Sequence, residues 1–460
     1  MKIENIHNVY FIGIGGIGMS GLARLFLNEG KFVAGYDRIA TELTSNLQKE
    51  GAAIHFDDDV SLVPENVINK PHQTLIVVTP AIPENHNEWN YFIQNGFTIM
   101  KRSEVVGIIS KGKKTIAIAG THGKTTVTSI TAHLINNGDG DCLALLGGIS
   151  KNYNSNVILN KKASRLIVEA DEYDRSFLRL FPQIAIITSI DPDHLDIYKD
   201  EKALIRAFEQ FASQIKTGGK LIIKKHVADK IKVPTTIKKI TYAVDEQADY
   251  YASGIHKEQD KFIFDIVTPE KTIEKVHVGI PVWINIENAV AATAAALSSG
   301  INHDKIKNSL ASFSGTIRRF DTRFSNEARV YLDDYAHHPE EIKALVKSIR
   351  ELHPGKHITG IFQPHLYSRT KDFADEFASA LSLLDRVWLL DIYPAREEPI
   401  PGVTSAIILD RIRSRSKMMV TKDNIMDRIK LEKPEVLLTI GAGDIDMLVK
   451  PITKLMKELN

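Results

Sequence analysis

Two glycine-rich segments carry the residue types that hold phosphates. Gly13-Ile14-Gly15-Gly16-Ile17-Gly18 follows the apolar run 8–14. Its spacing lets backbone amides approach a diphosphate at a helix N-terminus. Asp37 comes just after the apolar run 32–36, where such a fold puts the carboxylate that holds ribose hydroxyls. Gly13, Gly15, Gly16, Ile17, Gly18 and Asp37 are therefore one candidate site. Its chemistry fits a nicotinamide dinucleotide, and with it a dehydrogenase, as well as a sugar nucleotide, because each has a diphosphate beside a ribose. The second segment, Gly120-Thr121-His122-Gly123-Lys124-Thr125-Thr126, follows the apolar run 115–119 and opens a helical pattern. There the first amides of the helix and Lys124 suit the β and γ oxygens of a triphosphate, and Thr125 or Thr126 suits Mg²⁺. The common form of this motif has glycine at position 118, where this chain has Ile118.

Acidic and imidazole groups follow at the ends of later apolar runs. Glu169-Ala170-Asp171-Glu172 ends the run 166–168, and Asp191-Pro192-Asp193-His194 follows the run 184–188. Ligands of doubly wound sheets gather at the carboxyl ends of strands, so both clusters are expected beside the second glycine loop. A carboxylate and a neutral imidazole there suit a divalent cation that offsets charge during phosphoryl transfer. Further on, Arg318-Arg319-Phe320 precedes three strand ends rich in polar groups. These are Asp333-Asp334-Tyr335-Ala336-His337-His338-Pro339, Gln363-Pro364-His365-Leu366-Tyr367-Ser368-Arg369-Thr370 and the segment 391–399. Such a series fits a domain that closes over a nucleotide, with Arg319 as a phosphate clamp.

The elements needed to position these groups can be read from periodicity. Short apolar runs at 8–14, 32–36 and 75–78 alternate with amphipathic stretches at 20–28 and 43–50, which implies a parallel sheet. A second α/β unit begins at 115–119, with a helix at 124–136, strands at 166–168, 184–188 and 220–223, a less regular β region over 240–278 and an alanine-rich helix at 287–298. A third has strands at 330–332, 358–362, 387–390 and 436–440, and helices at 340–350, at 371–384 and from 445 onward. The chain therefore reads as α/β in three domains: a Rossmann-like domain over 1–106, a P-loop ATPase-like domain over 107–313 and a Rossmann-like C-terminal domain over 314–460.

Composition narrows the function classes. Lys and Arg number 58 against 57 Asp and Glu, a net charge of +1, which disfavours nucleic acid as a partner. The single cysteine, Cys142, cannot form an internal disulfide, and a cytoplasmic location fits best. The apolar stretch 9–27 is interrupted by glycines and Arg24 and lacks the flanks of a signal peptide, so it reads as buried structure and no membrane is expected as a partner.

Taken in order, these motifs resemble the ATP-dependent Mur ligases of bacterial peptidoglycan synthesis over nearly the whole chain. Asn285 with Asn288, Gln363-Pro364-His365 and Tyr393-Pro394-Ala395 add to the match. The resemblance implies that the first loop holds UDP-N-acetylmuramate and that the second holds ATP with Mg²⁺, or Mn²⁺ in its place. The implied product is an amide between L-alanine and the lactyl carboxylate, made through an acyl phosphate. It further implies metal ligation by Thr125, Glu169 and His194, an adenine contact from Asn285, a ribose contact from Asp334, a phosphate contact from Arg319 and reception of alanine by His337 and Arg369. Lys124, Glu169, His194, His337 and Arg369 are the implied catalytic set. A related activity, ligation of a recycled murein tripeptide to the same sugar nucleotide, is the nearest alternative. Ile284, Ser189 and Leu366 depart from residues common in the family. The chain is expected to act as a monomer or a homodimer.

Overall fold

Unbroken apolar runs become buried central strands in three separate sheets of the computed structural model, which describes residues 5–79, 82–191, 198, 200–259, 261–395 and 397–459. In the first sheet the strands Ala53–His55, Phe32–Tyr36, Asn8–Ile12, Thr74–Val78 and Thr98–Lys101 lie in that spatial order, all parallel. Every residue of Asn8–Ile12 is buried, as expected for a strand covered on both faces. This strand stops short of the expected 8–14, because the amides of Gly13 and Ile14 both turn to the Tyr36 carbonyl, at 2.8 and 3.0 Å.

The second sheet has ten strands. Its parallel centre runs Lys220–Lys224, Ile184–Ile187, Lys114–Ala119, Arg165–Glu169 and Leu143–Ser150. Beyond Leu143–Ser150 the antiparallel strand Ser155–Ile158 forms one edge. On the other side the region that read as irregular resolves into Lys238–Val244, Tyr250–Glu258, Lys261–Val267 and Thr272–Val276, the last two pairings antiparallel. The third sheet is ordered Asp321–Ser325, Val330–Asp334, Val436–Ile440, Ile358–Phe362, Arg386–Leu389 and Ser416–Met419, with only its first strand antiparallel.

Two helices differ from the expected pattern. The stretch 371–384 is broken into Tyr367–Asp372 and Ala374–Leu381 at Phe373, whose φ of −118° leaves the helical region while its ring packs edge-on against His338. The closing segment starts as a 3₁₀ turn, Asp444–Leu448, before the helix Val449–Glu458. Among the described residues no helix is long and apolar enough to cross a membrane.

The first two sheets belong to one compact unit, residues 1–279 with 285–314, and the third to another, residues 280–284 with 315–460. Within the first unit, the helix Ile17–Asn28 packs on the hairpin formed by Leu143–Ser150 and Ser155–Ile158. Asn156, fully buried, forms the polar centre of this contact. Its amide nitrogen donates to the Ile17 carbonyl at 2.6 Å and the Ser20 hydroxyl at 2.9 Å, while its oxygen accepts from Arg24. Arg24 in turn bridges to Glu50 at 2.8 and 2.9 Å. Replacing Asn156 by Ala removes the bonds of this buried amide to Ile17, Ser20 and Arg24. Chemical denaturation of Asn156→Ala should show a loss of about 1–3 kcal/mol, whereas an unchanged midpoint would mean that water replaces the amide.

Candidate active site

The second glycine loop joins the strand Lys114–Ala119 to the helix Lys124–Gly138. Gly120 and Gly123 have φ values of +129° and +81°, which side chains rarely adopt, and a Cβ on Gly120 would come 2.1 Å from Thr188 Oγ1. No side chain caps the helix, so its first-turn amides, Lys124 to Thr126, remain available to an anion. Two earlier amides are already committed: His122 N–H donates to Ser189 Oγ at 2.9 Å and Thr121 N–H to the Ser189 carbonyl at 3.1 Å. Ser189, a departure from the family pattern, thus braces the loop. The His122 ring lies 3.7 Å from the Asp191 carboxylate.

Lys124 points its ammonium at the Gly120 carbonyl, 2.8 Å away, and at Glu172 Oε1, 2.7 Å away. Burial alone would lower the lysine pKa, but Glu172, Asp171 and Glu169 outweigh it, so the ammonium is held above its usual range. Glu172 is fully buried, and burial pushes its carboxyl up to about 7 against the pull of Lys124. One strand end over, Thr125 Oγ1 donates to both Glu169 oxygens at 3.2 and 3.0 Å. Gly147 makes this possible, since a Cβ there would lie 1.8 Å from Glu169 Oε2 and 3.1 Å from Thr125 Oγ1. A hydroxyl and a carboxylate side by side form the hard oxygen donor set that a small divalent cation prefers. Residues Thr125 and Glu169 therefore fit such an ion; His194, the third expected ligand, lies outside the described residues.

Asn285 and Asn288 are buried one turn apart near the start of the helix Trp283–Ser298, joined by a 3.1 Å bond from Asn288 Nδ2 to Asn285 Oδ1. Asn288 Oδ1 borders the loop, 3.2 Å from where a Gly123 Cβ would be. Asn285 is thus linked to the loop through Asn288. Ile284 sits one residue earlier and is exposed.

At the first glycine loop, Asp37 grips the backbone. Its Oδ2 accepts from Gly15 N–H at 2.7 Å and its Oδ1 from Ile39 N–H at 3.1 Å. Gly16 caps the helix Ile17–Asn28 without a side-chain bond, leaving the first amides open. Arg102, which the sequence reading passed over, lies across Gly18: a Cβ at that glycine would be 3.0 Å from its Cδ.

In the other unit, Asp334 ends its strand with both oxygens bound to backbone, Oδ2 by Phe320 N–H at 2.6 Å and Oδ1 by Ala336 N–H at 2.8 Å. Burial raises its carboxyl to about 6, opposed by Arg319 and these amides. The Arg319 guanidinium stacks 4.9 Å from the Tyr335 ring centre, in a turn where both Arg318 and Phe320 have positive φ, +63° and +47°. His337 Nδ1 faces the Tyr335 carbonyl at 3.1 Å and Glu341 Oε2 at 3.3 Å, so we assign the proton to Nδ1 and leave Nε2 as an acceptor. Burial, seconded by Arg369 and Arg319 and resisted by Glu341, pushes His337 down to about 4. The arrangement therefore groups Arg319, Asp334, His337 and Arg369. Leu366, another departure, caps the helix Tyr367–Asp372 with φ +71°.

Gly147, the Lys124–Glu172 pair and Arg102 carry no role in the sequence reading. Glu172 was visible as part of an acidic cluster; Gly147 had no signal beyond an isolated Gly-Gly.

Three family profiles match the chain: one described as Mur ligase family, catalytic domain, over residues 8–114; the Mur ligase middle domain over 118–296; and the Mur ligase, glutamate ligase domain, over 318–443. The UDP-N-acetylmuramate–L-alanine ligase of Parabacteroides distasonis is 49% identical over 456 residues, 99% of this chain and 98% of that protein. That of Phocaeicola vulgatus is 48% identical over 459 residues, covering all of both chains. Among solved structures, the UDP-N-acetylmuramate–alanine ligase of Thermotoga maritima superposes with a TM-score of 0.80 at 25% identity, over 98% of this chain and 100% of that one.

Two outcomes follow from the site. Gly147→Ala should push Glu169 off Thr125 and weaken divalent-cation binding at the phosphate loop by tenfold or more, read by titration with Mn²⁺; equal affinity would deny Glu169 this role. Because His337 in the folded chain has a pKa below that of free imidazole, the folded state binds fewer protons than the unfolded one between about pH 6.5 and 4. Its contribution is complete above 6.5 and is lost as the pH falls toward 4, by up to about 1.4 kcal/mol per pH unit. The acid limb of the stability curve should be shallower in His337→Gln, and a superimposable limb would contradict the assignment.

Proposed function

The chain belongs to the Mur ligase family, and we propose that it is the ATP-dependent ligase that joins the amine of L-alanine to the lactyl carboxylate of UDP-N-acetylmuramate in peptidoglycan precursor synthesis. The observation that carries this reading is the presence in one unit of two glycine loops, each opening an uncapped helix, in a chain similar along its whole length to ligases of that substrate pair. Domains over 1–106, 107–313 and 314–460 and a cytoplasmic location belong to the same proposal.

The first loop holds the diphosphate of the sugar nucleotide through the amides at 13–18, with Asp37 bracing the loop and Arg102 adding positive charge. ATP phosphates lie at the first-turn amides of the second loop, and Lys124 exchanges Glu172 for a phosphate oxygen. Thr125 and Glu169, with His194, would hold Mg²⁺, which would offset the phosphate charge when bound. Asn285 meets adenine and Asp334 the ribose. A carboxylate is a poor acyl donor because its oxide leaves badly. Attack of a lactyl carboxylate oxygen on the γ-phosphorus releases ADP and gives an acyl phosphate. The alanine amine then adds to the acyl carbon, and phosphate leaves with its bonding electrons as the amide forms, one proton passing from nitrogen to the medium. Arg319 steadies the phosphoryl oxygens, Arg369 holds the alanine carboxylate, and the Nε2 lone pair of His337 accepts a hydrogen bond from the amine.

Phosphate release from ATP in the presence of UDP-N-acetylmuramate tests this directly. L-Alanine should be the productive acceptor; turnover with murein tripeptide and none with alanine would overturn the reading. Lys124→Ala should abolish ligation and leave the affinity for UDP-N-acetylmuramate within tenfold, about 1.4 kcal/mol, by calorimetry; a larger loss would mean the two loops are not separate sites.

A further inference from the structure

A buried polar cluster with no part in either glycine loop lies in the first sheet. Tyr10, in the middle of the strand Asn8–Ile12, is fully buried, and so is Glu88 in the helix Asn87–Gln94. The Tyr10 hydroxyl lies 2.6 Å from Glu88 Oε2 and 2.8 Å from His55 Nε2. His55 Nδ1 is 2.9 Å from the Asp57 carbonyl, which can only accept, so we assign a hydrogen to Nδ1. With Glu88 ionised and His55 neutral, the phenol gives its one hydrogen to the carboxylate and has none left for Nε2, so two lone pairs meet at 2.8 Å. Both short contacts are hydrogen bonds only when the cluster holds one more proton. Placed on Glu88, it bonds the carboxyl to the phenol oxygen and frees the phenol to donate to Nε2; placed on His55, it reverses both bonds.

The surroundings favour the first arrangement. Burial pushes the Glu88 carboxyl up to about 7, with Asp58 and Asp59 adding to the rise and the Tyr10 hydroxyl opposing it. Burial lowers His55 against the pull of Asp57, Asp59 and Asp58. Asp58 is committed elsewhere, to the Asn87 and Glu88 amides at 2.8 and 3.1 Å and to His86 Nδ1 at 3.0 Å. Tyr36, with Asp37 and Arg38 beyond it, faces the cluster from the neighbouring strand, its ring 5.9 Å from that of His55. Tyr36 and His55 are also partners in register, and their carbonyls hold the first glycine loop. The Tyr36 carbonyl receives the Gly13 and Ile14 amides, the His55 carbonyl receives the Asp37 amide at 3.2 Å, and Asp37 in turn holds Gly15.

We infer that Glu88, Tyr10 and His55 share one proton and that this proton braces the first glycine loop, so the loop holds its ligand more tightly below neutral pH than above it. The three are positioning residues, acting on the loop through the His55 and Tyr36 backbone. That the ligand is a sugar nucleotide rests on the ligase reading; the brace itself does not.

Glu88→Gln tests this, because the glutamine amide donates to the phenol at every pH and removes the need for the proton. Hydrogen exchange of the 13–18 backbone, corrected for the intrinsic rate, is read by mass spectrometry on the full chain without ligand. Between about pH 6 and 8.5, protection should fall at least about threefold in the native chain, within the range that one lost hydrogen bond gives, and stay level in Glu88→Gln. Affinity for UDP-N-acetylmuramate, by calorimetry, should follow the same pattern. Constant protection in the native chain, or parallel profiles of the two chains in either measurement, would overturn the inference. Failure to bind UDP-N-acetylmuramate at either pH would instead count against the ligase reading, and the brace would stand or fall on exchange.

Discussion

An ammonium and a carboxylate withdrawn from water stand at the centre of the phosphate loop. The Lys124–Glu172 contact, 2.7 Å long, joins the start of one helix to a segment that follows a neighbouring strand. Removing either partner would leave the other charge buried alone, at a cost of about 3–5 kcal/mol. The pair is therefore unlike the chain's surface ion pairs, which are worth little. It requires Lys114–Ala119 and Arg165–Glu169 to be adjacent and parallel, and their register, Ile118 opposite Glu169, places the two segments side by side. It also stores the lysine where an incoming phosphate can take over from the carboxylate. Loop geometry, strand order and ligand chemistry all meet at this contact.

Much of this architecture was legible in the residues. Strands such as Asn8–Ile12, Lys114–Ala119 and Ile184–Ile187 are buried on both faces, so they appear as apolar runs and announce parallel sheets. Edge strands did not announce themselves. The hairpin of Leu143–Ser150 and Ser155–Ile158 contains Gly147, Gly148 and Asn154, the last with φ +48°, and such residues read as loop. The strands from Lys238–Val244 to Thr272–Val276 mix exposed polar positions with buried apolar ones without a strict period, so they read only as loosely β. The break at Phe373 depends on a ring finding His338 from another element, which no local pattern encodes.

The site divides in the same way. Glycine loops and clustered carboxylates can be found from spacing, because a phosphate imposes fixed demands on local backbone. Gly147 cannot, since its significance comes from the lack of a Cβ beside Glu169 on another strand. Nor can the role of Ser189, whose hydroxyl and carbonyl brace the loop from a different strand end. In the C-terminal unit positive φ values fall at Arg318 and Phe320, in the turn ahead of the strand Asp321–Ser325, and at Leu366 and Ala395, in two of the polar strand-end segments. Backbone strain of this kind persists where surrounding bonds enforce it. Here Asp334 supplies that enforcement by holding the Phe320 and Ala336 amides.

The amide side chain of Asn156 has a consequence for how this molecule can be recombined. It ties the helix that opens at the first glycine loop to a hairpin 136 residues further along, and that hairpin also supplies the gap in which Glu169 sits. A chimera spliced between the first two sheets would import a foreign helix while keeping the native hairpin. The inheritable module is the helix plus its distant hairpin, so a crossover ahead of the phosphate-loop strand would divide one joint between two parents.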